Sequence, residues 1–365
     1  AGRASRPLKA ALRLEASFPR IGERGEDVNP ARSIGRRRVL RAFAQSVALL
    51  GVTALAGCQT DVLGSVNAKA NAPVPRRLRA RMATLNMDRE APILMRVFKV
   101  ECELEVWKQD HSGRYALLKT YPVCKWSGDL GPKIVEGDRQ TPEGFYDITS
   151  AQMNPNSEFF LSFNLGFPNA FDRAHGRTGT HLMVHGDCSS SGCYAMTDAQ
   201  ILEIYALARE AFAAGQMSFQ VQAYPFRMTP DNMARRRDNP HLAYWQMLKE
   251  GNDHFEVTRL EPRVGVCEGR YVFNSVSPST GMTVGAQEGC ADRTLPLHSA
   301  RALEEKRHKD DRRFDELVAQ GVETAPIRSG RDGSMHPSFV AKLRPREIID
   351  QHGNLKLVVL PGAAG

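Results

Sequence analysis

Between His181 and Met196 the chain runs His-Leu-Met-Val-His-Gly-Asp-Cys-Ser-Ser-Ser-Gly-Cys-Tyr-Ala-Met. His185 closes a short apolar run, and Cys193 follows eight residues later, behind a glycine. A thiol attacks a carbonyl only as its thiolate, and a neighbouring imidazole is a common way to make one. The spacing therefore points to acyl transfer, with Cys193 as nucleophile and His185 as base, then as the acid that protonates the leaving amine. Gly192 lets the backbone approach closely or take a positive φ. The N–H groups of Gly192, Cys193 and Tyr194 are candidates for an oxyanion hole, where one donor contributes about 3–4 kcal/mol in a comparable enzyme. Ser191 can donate a hydrogen bond but cannot shuttle a proton. Cys193 is expected on a loop just before a helix start, whose dipole also favours thiolate.

Other readings of the same residues compete. Cys193 alone could be a buried structural thiol or half of a disulfide with Cys188. His185 or His181 alone could be a core histidine. Asp187 could orient His185 or simply occupy a turn. Arg173, His175 and Arg177 cluster in a glycine-containing loop, where guanidinium groups can bind substrate carboxylates bidentately; a solvated loop is the plain alternative. His181, His185, Asp187, Cys188 and Cys193 are all possible metal ligands, but their spacing matches no standard structural zinc pattern. Neither a metal nor a cofactor is expected. A papain-like enzyme places its cysteine before its histidine. A sortase needs a much longer separation and a later arginine.

The elements that must position these residues are mostly strands. Phe98 to Trp107 alternates apolar and polar residues as a half-buried strand does. His111-Ser112-Gly113 is a turn, with Tyr115–Trp126 the second arm of a hairpin. Residues 128–144 form a long loop rich in Gly and Pro. Short strands are expected at Phe145–Ile148, Phe159–Phe163, Thr180–His185 and Met217–Ala223. Thr197-Asp198-Ala199-Gln200 fits a capping box, opening a helix that stops at Gly215. The catalytic body is thus mainly β with one prominent helix. Beyond Pro225 a smaller α+β extension is expected. It has a helix over Pro240–Gly251, strands at Phe255–Thr258 and Tyr271–Phe273, a charged helix over Arg301–Gln320, and loose order over the last forty residues apart from Leu355–Leu360. The division is 1–58 export region, 59–92 flexible tether, 93–224 catalytic domain, and 225–365 accessory extension, partly disordered.

The net charge of +8 over 365 residues is misleading as a guide to partners. Residues 1–58 hold eleven Lys or Arg and four acids, which leaves +1 for the remainder. With no nucleic-acid signature either, nucleic acid is excluded as a partner. Arg36-Arg37-Arg38 and Arg41 precede an apolar run, Val47–Ala56, too short to span a bilayer comfortably. The residues before about position 30 fit neither this signal nor the body, as an over-long start would. Leu55-Ala56-Gly57-Cys58 resembles a bacterial lipobox, which implies lipidation of Cys58 and membrane attachment through acyl chains. Gln59 after it implies the outer membrane, facing the periplasm. In that compartment disulfides form. Cys102–Cys124 and Cys267–Cys290 are plausible by position, although connectivity is not deducible from sequence.

At His185-Gly186, Ser190-Ser191-Gly192-Cys193 and the upstream Thr141-Pro142-Glu143-Gly144, the chain resembles the YkuD-type L,D-transpeptidases. The resemblance runs from about Val97 to Ala223. It is strongest to the YafK-like branch, through Phe163-Asn164-Leu165-Gly166-Phe167-Pro168-Asn169, His175-Gly176-Arg177-Thr178-Gly179 and the compact His-Gly-Asp-Cys block. Residues 225–273 also resemble an extension that branch carries. Three features depart from the family pattern: Ser191 stands where a histidine is usual, Ala195 where a basic or amide residue is, and the His-to-Cys interval is short. The resemblance implies peptidoglycan stem peptides as substrate and a thioacyl-enzyme formed at the carbonyl of the L-centre of diaminopimelate. An amine acceptor then gives transpeptidation, and water gives hydrolysis, such as release of a murein-bound lipoprotein. A non-catalytic cell-wall-binding lipoprotein is the alternative from another class.

Overall fold

The computed structural model describes residues 68–275, 296–328, 332–343, 346–349 and 355–358. Two five-stranded sheets form the body. The first contains β1 (Ile93–Phe98), β2 (Glu103–Gln109), β3 (Tyr115–Pro122), β5 (Gly144–Thr149) and β10 (Ser218–Tyr224), in the order β3-β2-β1-β10-β5. The second contains β4 (Lys125–Trp126), β6 (Met153–Asn154), β7 (Ser162–Asn164), β8 (Met183–His185) and β9 (Tyr194–Ala195), in the order β4-β9-β8-β7-β6. Among the described residues only β1–β10 and β8–β9 pair in parallel. The helices are α1 (Arg76–Thr84), α2 (Ala170–Ala174), α3 (Asp198–Ala213), α4 (Pro230–Ala234), α5 (Leu242–Thr258), α6 (Leu297–Ala319) and α7 (Pro337–Leu343). Two hairpins, β11–β12 (Val264–Cys267, Arg270–Phe273) and β13–β14 (Arg346–Ile349, Leu355–Val358), complete the set. The mainly β body with one prominent helix and extra C-terminal elements is the expected class.

The main core lies between the sheets and α3. Met95, Val97, Leu104, Val106, Phe219 and Val221 from the first sheet meet Phe163, Val184 and Tyr194 from the second. The capping box at Thr197 and Gln200 is formed, with Thr197 Oγ1 accepting from Gln200 N, and it starts α3 where expected. Gly215 follows the helix at φ +101°, a conformation that suits glycine.

The first sheet is covered on both faces, which the half-buried expectation missed. Phe98 and Tyr224 turn away from the main core toward Trp245 and Leu248 of α5 in a second apolar cluster. The polar residues on that face satisfy one another: Tyr224 donates to Gln222, and Gln222 to Gln220. The expected boundary near residue 225 therefore runs through a shared core. Phe255–Thr258, expected as a strand, is the last turn of α5. The continuous strand expected over Phe98–Trp107 is broken by a turn at residues 99–102, with Cys102 at φ +52°. Core parity flips there, from Ile93, Met95 and Val97 to Leu104 and Val106. Phe98 and Val100 are apolar at the wrong parity and hide the break.

The tether expected over 59–92 is folded in its second half. Val74, Leu78, Met82 and Met87 are buried in the main core. Leu78 and Met82 stand one turn apart on α1, a pair too short for a periodicity scan to register. Replacing Leu78 by Ala should cost about 2–5 kcal/mol of unfolding free energy in a urea titration; a tether residue would cost almost nothing.

Candidate active site

The loop before β9 carries the candidate nucleophile, Cys193, and β8 carries the imidazole of His185. Their parallel register pairs Val184 with Tyr194 and His185 with Ala195. Cys193 thus sits two residues back from the partner of His185 on the adjacent strand, about 8 Å between Cα atoms by ordinary strand spacings. Cys193 is a free, partly exposed thiol. Its Sγ accepts from Met183 N at 3.4 Å and donates to His181 O at 3.6 Å. Among the described residues no hydrogen bond joins it to the His185 ring.

His185 is 2 % exposed. Its Nδ1 lies 2.6 Å from Gly186 O. A carbonyl only accepts, so Nδ1 carries the proton and Nε2 is the basic nitrogen. Phe159 covers the ring at a centroid distance of 4.7 Å. Gly186 has no space for a side chain, because a Cβ there would meet Asp198 Oδ1 and Phe159 O. Asp187 is exposed and accepts from Ser189 Oγ. It is a turn residue at φ +67° and does not touch the ring nitrogen that it was a candidate to orient.

The backbone of Cys193 is held from two sides. Thr141 Oγ1 donates to Cys193 O at 3.1 Å, and Ser190 Oγ donates to the same oxygen at 2.8 Å. Ser127 closes the network: its hydroxyl donates to Ser190 Oγ at 2.6 Å, and its N–H donates to Thr141 Oγ1 at 3.0 Å. Tyr194 OH reaches back to Pro142 O at 2.8 Å. The Thr-Pro-x-Gly loop is thereby fastened to Cys193. Ser190 Oγ also accepts from Gly192 N at 3.4 Å and Cys193 N at 3.2 Å, so these oxyanion-hole candidates hold only long bonds at rest. Gly192 is at φ +130°; a Cβ would have room, so its backbone angle is what calls for glycine. Tyr194 is fully buried in β9, and Ser191 is exposed.

Burial pushes the Cys193 thiol above its ordinary value, while the Met183 N–H and the Lys133 ammonium pull it down. Burial pushes His185 below its ordinary value, against the Gly186 carbonyl and Asp187. The resting pair is therefore neutral thiol and neutral imidazole. The helix-dipole expectation fails, because β9 intervenes between Cys193 and the α3 N-terminus.

Lys133 was missed by sequence reasoning. It sits in a loop with no motif, 3 % exposed, with Nζ bonded to Asp138 Oδ1 and Val135 O. Ser127, Ser190 and Thr141 were seen only as motif letters or not at all. The three expected substrate-binding residues separate. Arg177 is buried and paired with Asp172 at 2.8 Å, over the rings of Phe171 and Tyr244. Arg173 is exposed and donates to Pro168 O. His175 is exposed, with Nδ1 held by Phe171 O at 2.9 Å.

The disulfide differs from the pairing expected for Cys102. Cys124 joins Cys188, with Cα atoms 5.2 Å apart. Cys124 N donates to Ala195 O and Cys188 N to Met196 O, which sets the two cysteines side by side along β9. Cys102 is a buried free thiol donating to Lys99 O. Cys267 is disulfide-bonded; Cys290, its expected partner, lies outside the described residues. So does Cys58, the expected lipidation site. Among the described residues no group of three or more His, Cys, Asp or Glu is gathered for a metal, and no helix is long and apolar enough to cross a membrane.

The description "L,D-transpeptidase catalytic domain" (YkuD) matches residues 113–222. The curated protein named "Putative L,D-transpeptidase YafK" from Escherichia coli K12 is 47% identical over 184 residues, 50% of this chain and 74% of that one. Its counterpart in E. coli O157:H7 matches equally. Among solved structures, the helical cell shape determining protein Pgp2 of Campylobacter jejuni gives a TM-score of 0.30 at 19% identity, over 41% of this chain and 56% of that one. Thus the chain spans little more than half of Pgp2. Bdellovibrio bacteriovorus Bd1075 gives 0.28 at 12% identity, over 58% and 98%.

Alkylation of Cys193 by iodoacetamide should be slow at pH 7 and climb only past the ordinary thiol range, since the folded thiol holds its proton longer. Lys133→Met should raise the midpoint of that profile further, slowing alkylation at pH 7 by about threefold for each half unit. Mass spectrometry of the labelled cysteine reads both.

Proposed function

This chain belongs to the YkuD-type L,D-transpeptidase family, in its YafK-like branch, and on that footing we propose that it cleaves a peptide bond of peptidoglycan by thiol acyl transfer. The observation that carries the reading is Cys193 itself: a free, accessible thiol whose own carbonyl is locked, in the loop leading into β9, the strand next to the one that carries an imidazole with a fixed tautomer. A disulfide at Cys193 would have favoured the non-catalytic binding lipoprotein.

The proposed substrate carbonyl is that of the L-centre of diaminopimelate. Because thiol and imidazole rest neutral, proton transfer from Sγ to His185 Nε2 accompanies attack. On this reading the two side chains converge when substrate binds; catalytic hydrogen bonds are often long in unliganded enzymes. The new oxyanion takes up the Gly192 and Cys193 N–H groups, which Ser190 Oγ holds only loosely. His185 then protonates the departing amine, leaving a thioacyl-enzyme.

An amine or water resolves that intermediate. Ser191 is exposed where the resemblance places a histidine, so no imidazole stands two residues before Cys193 to activate an acceptor, and His185 takes that role on this reading. This favours hydrolysis with a murein-bound lipoprotein as the leaving amine as the second reading. We further propose attachment to the outer membrane, facing the periplasm, through lipid on Cys58.

Incubation with defined muropeptides, with and without an amine acceptor, tests the proposal. Wild-type protein should cleave them, with a new cross-link formed only in the transpeptidase case. Cys193→Ala should abolish both products, and His185→Gln should lower kcat/KM by about 10²–10⁴. Cleavage retained by Cys193→Ala would sink the thiol mechanism.

A further inference from the structure

The C-terminal extension reaches the active site through residues 332–336. β4 is the outer strand of the second sheet, next to β9. An outer strand presents unpaired backbone groups. Here the returning chain covers them. Trp126 and Ser334 exchange N–H···O bonds in both directions, at 3.1 and 3.2 Å, and His336 N donates to Val123 O at 3.2 Å. Gly333 N donates to Gly128 O at 2.6 Å. Gly333 is at φ +73°, and a Cβ there would collide with the Trp126 carbonyl and crowd Ser127 Cα. No other residue type fits that seat.

Asp332 makes the decisive contacts. Its Oδ1 accepts from Gly128 N at 3.0 Å, and its Oδ2 accepts from Arg139 at 2.7 Å. Gly128 and Arg139 are the two stems of the loop that carries Lys133 and Asp138, so one carboxylate clamps both. Arg139 takes φ +56°, a conformation that a non-glycine residue holds only when something fixes it. Its backbone, with that of Gln140, lies over Gly192, within 3.9 Å of where a Cβ would stand. Ser127, one residue before the clamped Gly128, is the member of the polar network that grips Ser190.

We propose that residues 332–336 are a strap that completes the active site, and that Asp332 is a positioning residue which sets the loop over Gly192 and Cys193. The strap acts on one side of β4, and the nucleophile lies on the other. Both Asp332 and Arg139 are about half exposed, at 47% and 58% of their side chains. Such an ion pair adds little to global stability. Its effect is local, on the height and angle of the loop. The activity readout rests on the proposed function; the amide-exchange readout does not.

The test uses the full chain with Asp332→Ala and, separately, Gly333→Ala. Hydrogen exchange should accelerate at least tenfold in residues 128–141 while β10 and α3 keep wild-type protection. On a muropeptide substrate kcat should fall about tenfold with KM changed less than twofold. Asp332→Asn, which keeps the acceptor for Gly128 N–H, should recover part of the loss. Arg139→Gln added to Asp332→Ala should lower kcat no further. Asp332→Ala is a surface change, so it stays informative even where Gly333→Ala fails to fold. Wild-type exchange throughout 128–141 in Asp332→Ala would overturn the strap. Accelerated exchange there, in a protein whose wild type cleaves no muropeptide, would sustain the strap and overturn the proposed function instead.

Discussion

One carbonyl oxygen organises this site. Cys193 O accepts from Thr141 and Ser190 together, and every polar atom in that network has a partner. Buried networks of this kind are stabilising only when complete, because an unmatched polar atom costs its full desolvation. The network therefore fixes three separate segments at once: the end of β4 through Ser127, the Thr-Pro-x-Gly loop through Thr141, and the nucleophile loop through Ser190. Sγ is left out of it. The backbone carbonyl of Cys193 is pinned by this network, while its Sγ holds only the long contacts to Met183 N and His181 O.

The same loop is anchored on its other side by charge. Glu143 is buried with Lys99, 2.9 Å away, and also accepts from Gly131 N and Trp245 Nε1. Its carbonyl accepts from Tyr146 and from Tyr244 of α5. A buried ion pair is not in itself a source of stability, but losing one partner strands the other and costs about 3–5 kcal/mol. Here the pair ties the first sheet to the active-site loop, and α5 closes over it. A helix outside the matched catalytic residues is thus a structural part of the loop that grips Cys193.

The chemistry rests neutral. Burial disfavours both the thiolate and the imidazolium, and the nearby cation Lys133 only partly offsets it, being itself paired with Asp138. On the proposed mechanism such a site generates its nucleophile during attack rather than storing it. That protects an accessible thiol from oxidation and alkylation at neutral pH, since reactivity follows thiolate content.

The sequence by itself determined the nucleophile candidate, the β8 and α3 elements, the glycine at 192 and the family, because each depends on residues close together in the chain. Period-two alternation, a capping box and a spaced motif are local patterns. The covered second face of the first sheet, the Cys124–Cys188 bridge, the role of Lys133 and the commitment of Arg177 to Asp172 were decided only by tertiary structure. Apart from Asp172 and Arg177, five residues apart, the partners lie at sequence distances that carry no signal: Trp245 for Glu143, Cys188 for Cys124, Asp332 for Arg139. Packing chose those partners, since a buried charge, thiol or backbone group must be matched by whatever the fold brings beside it.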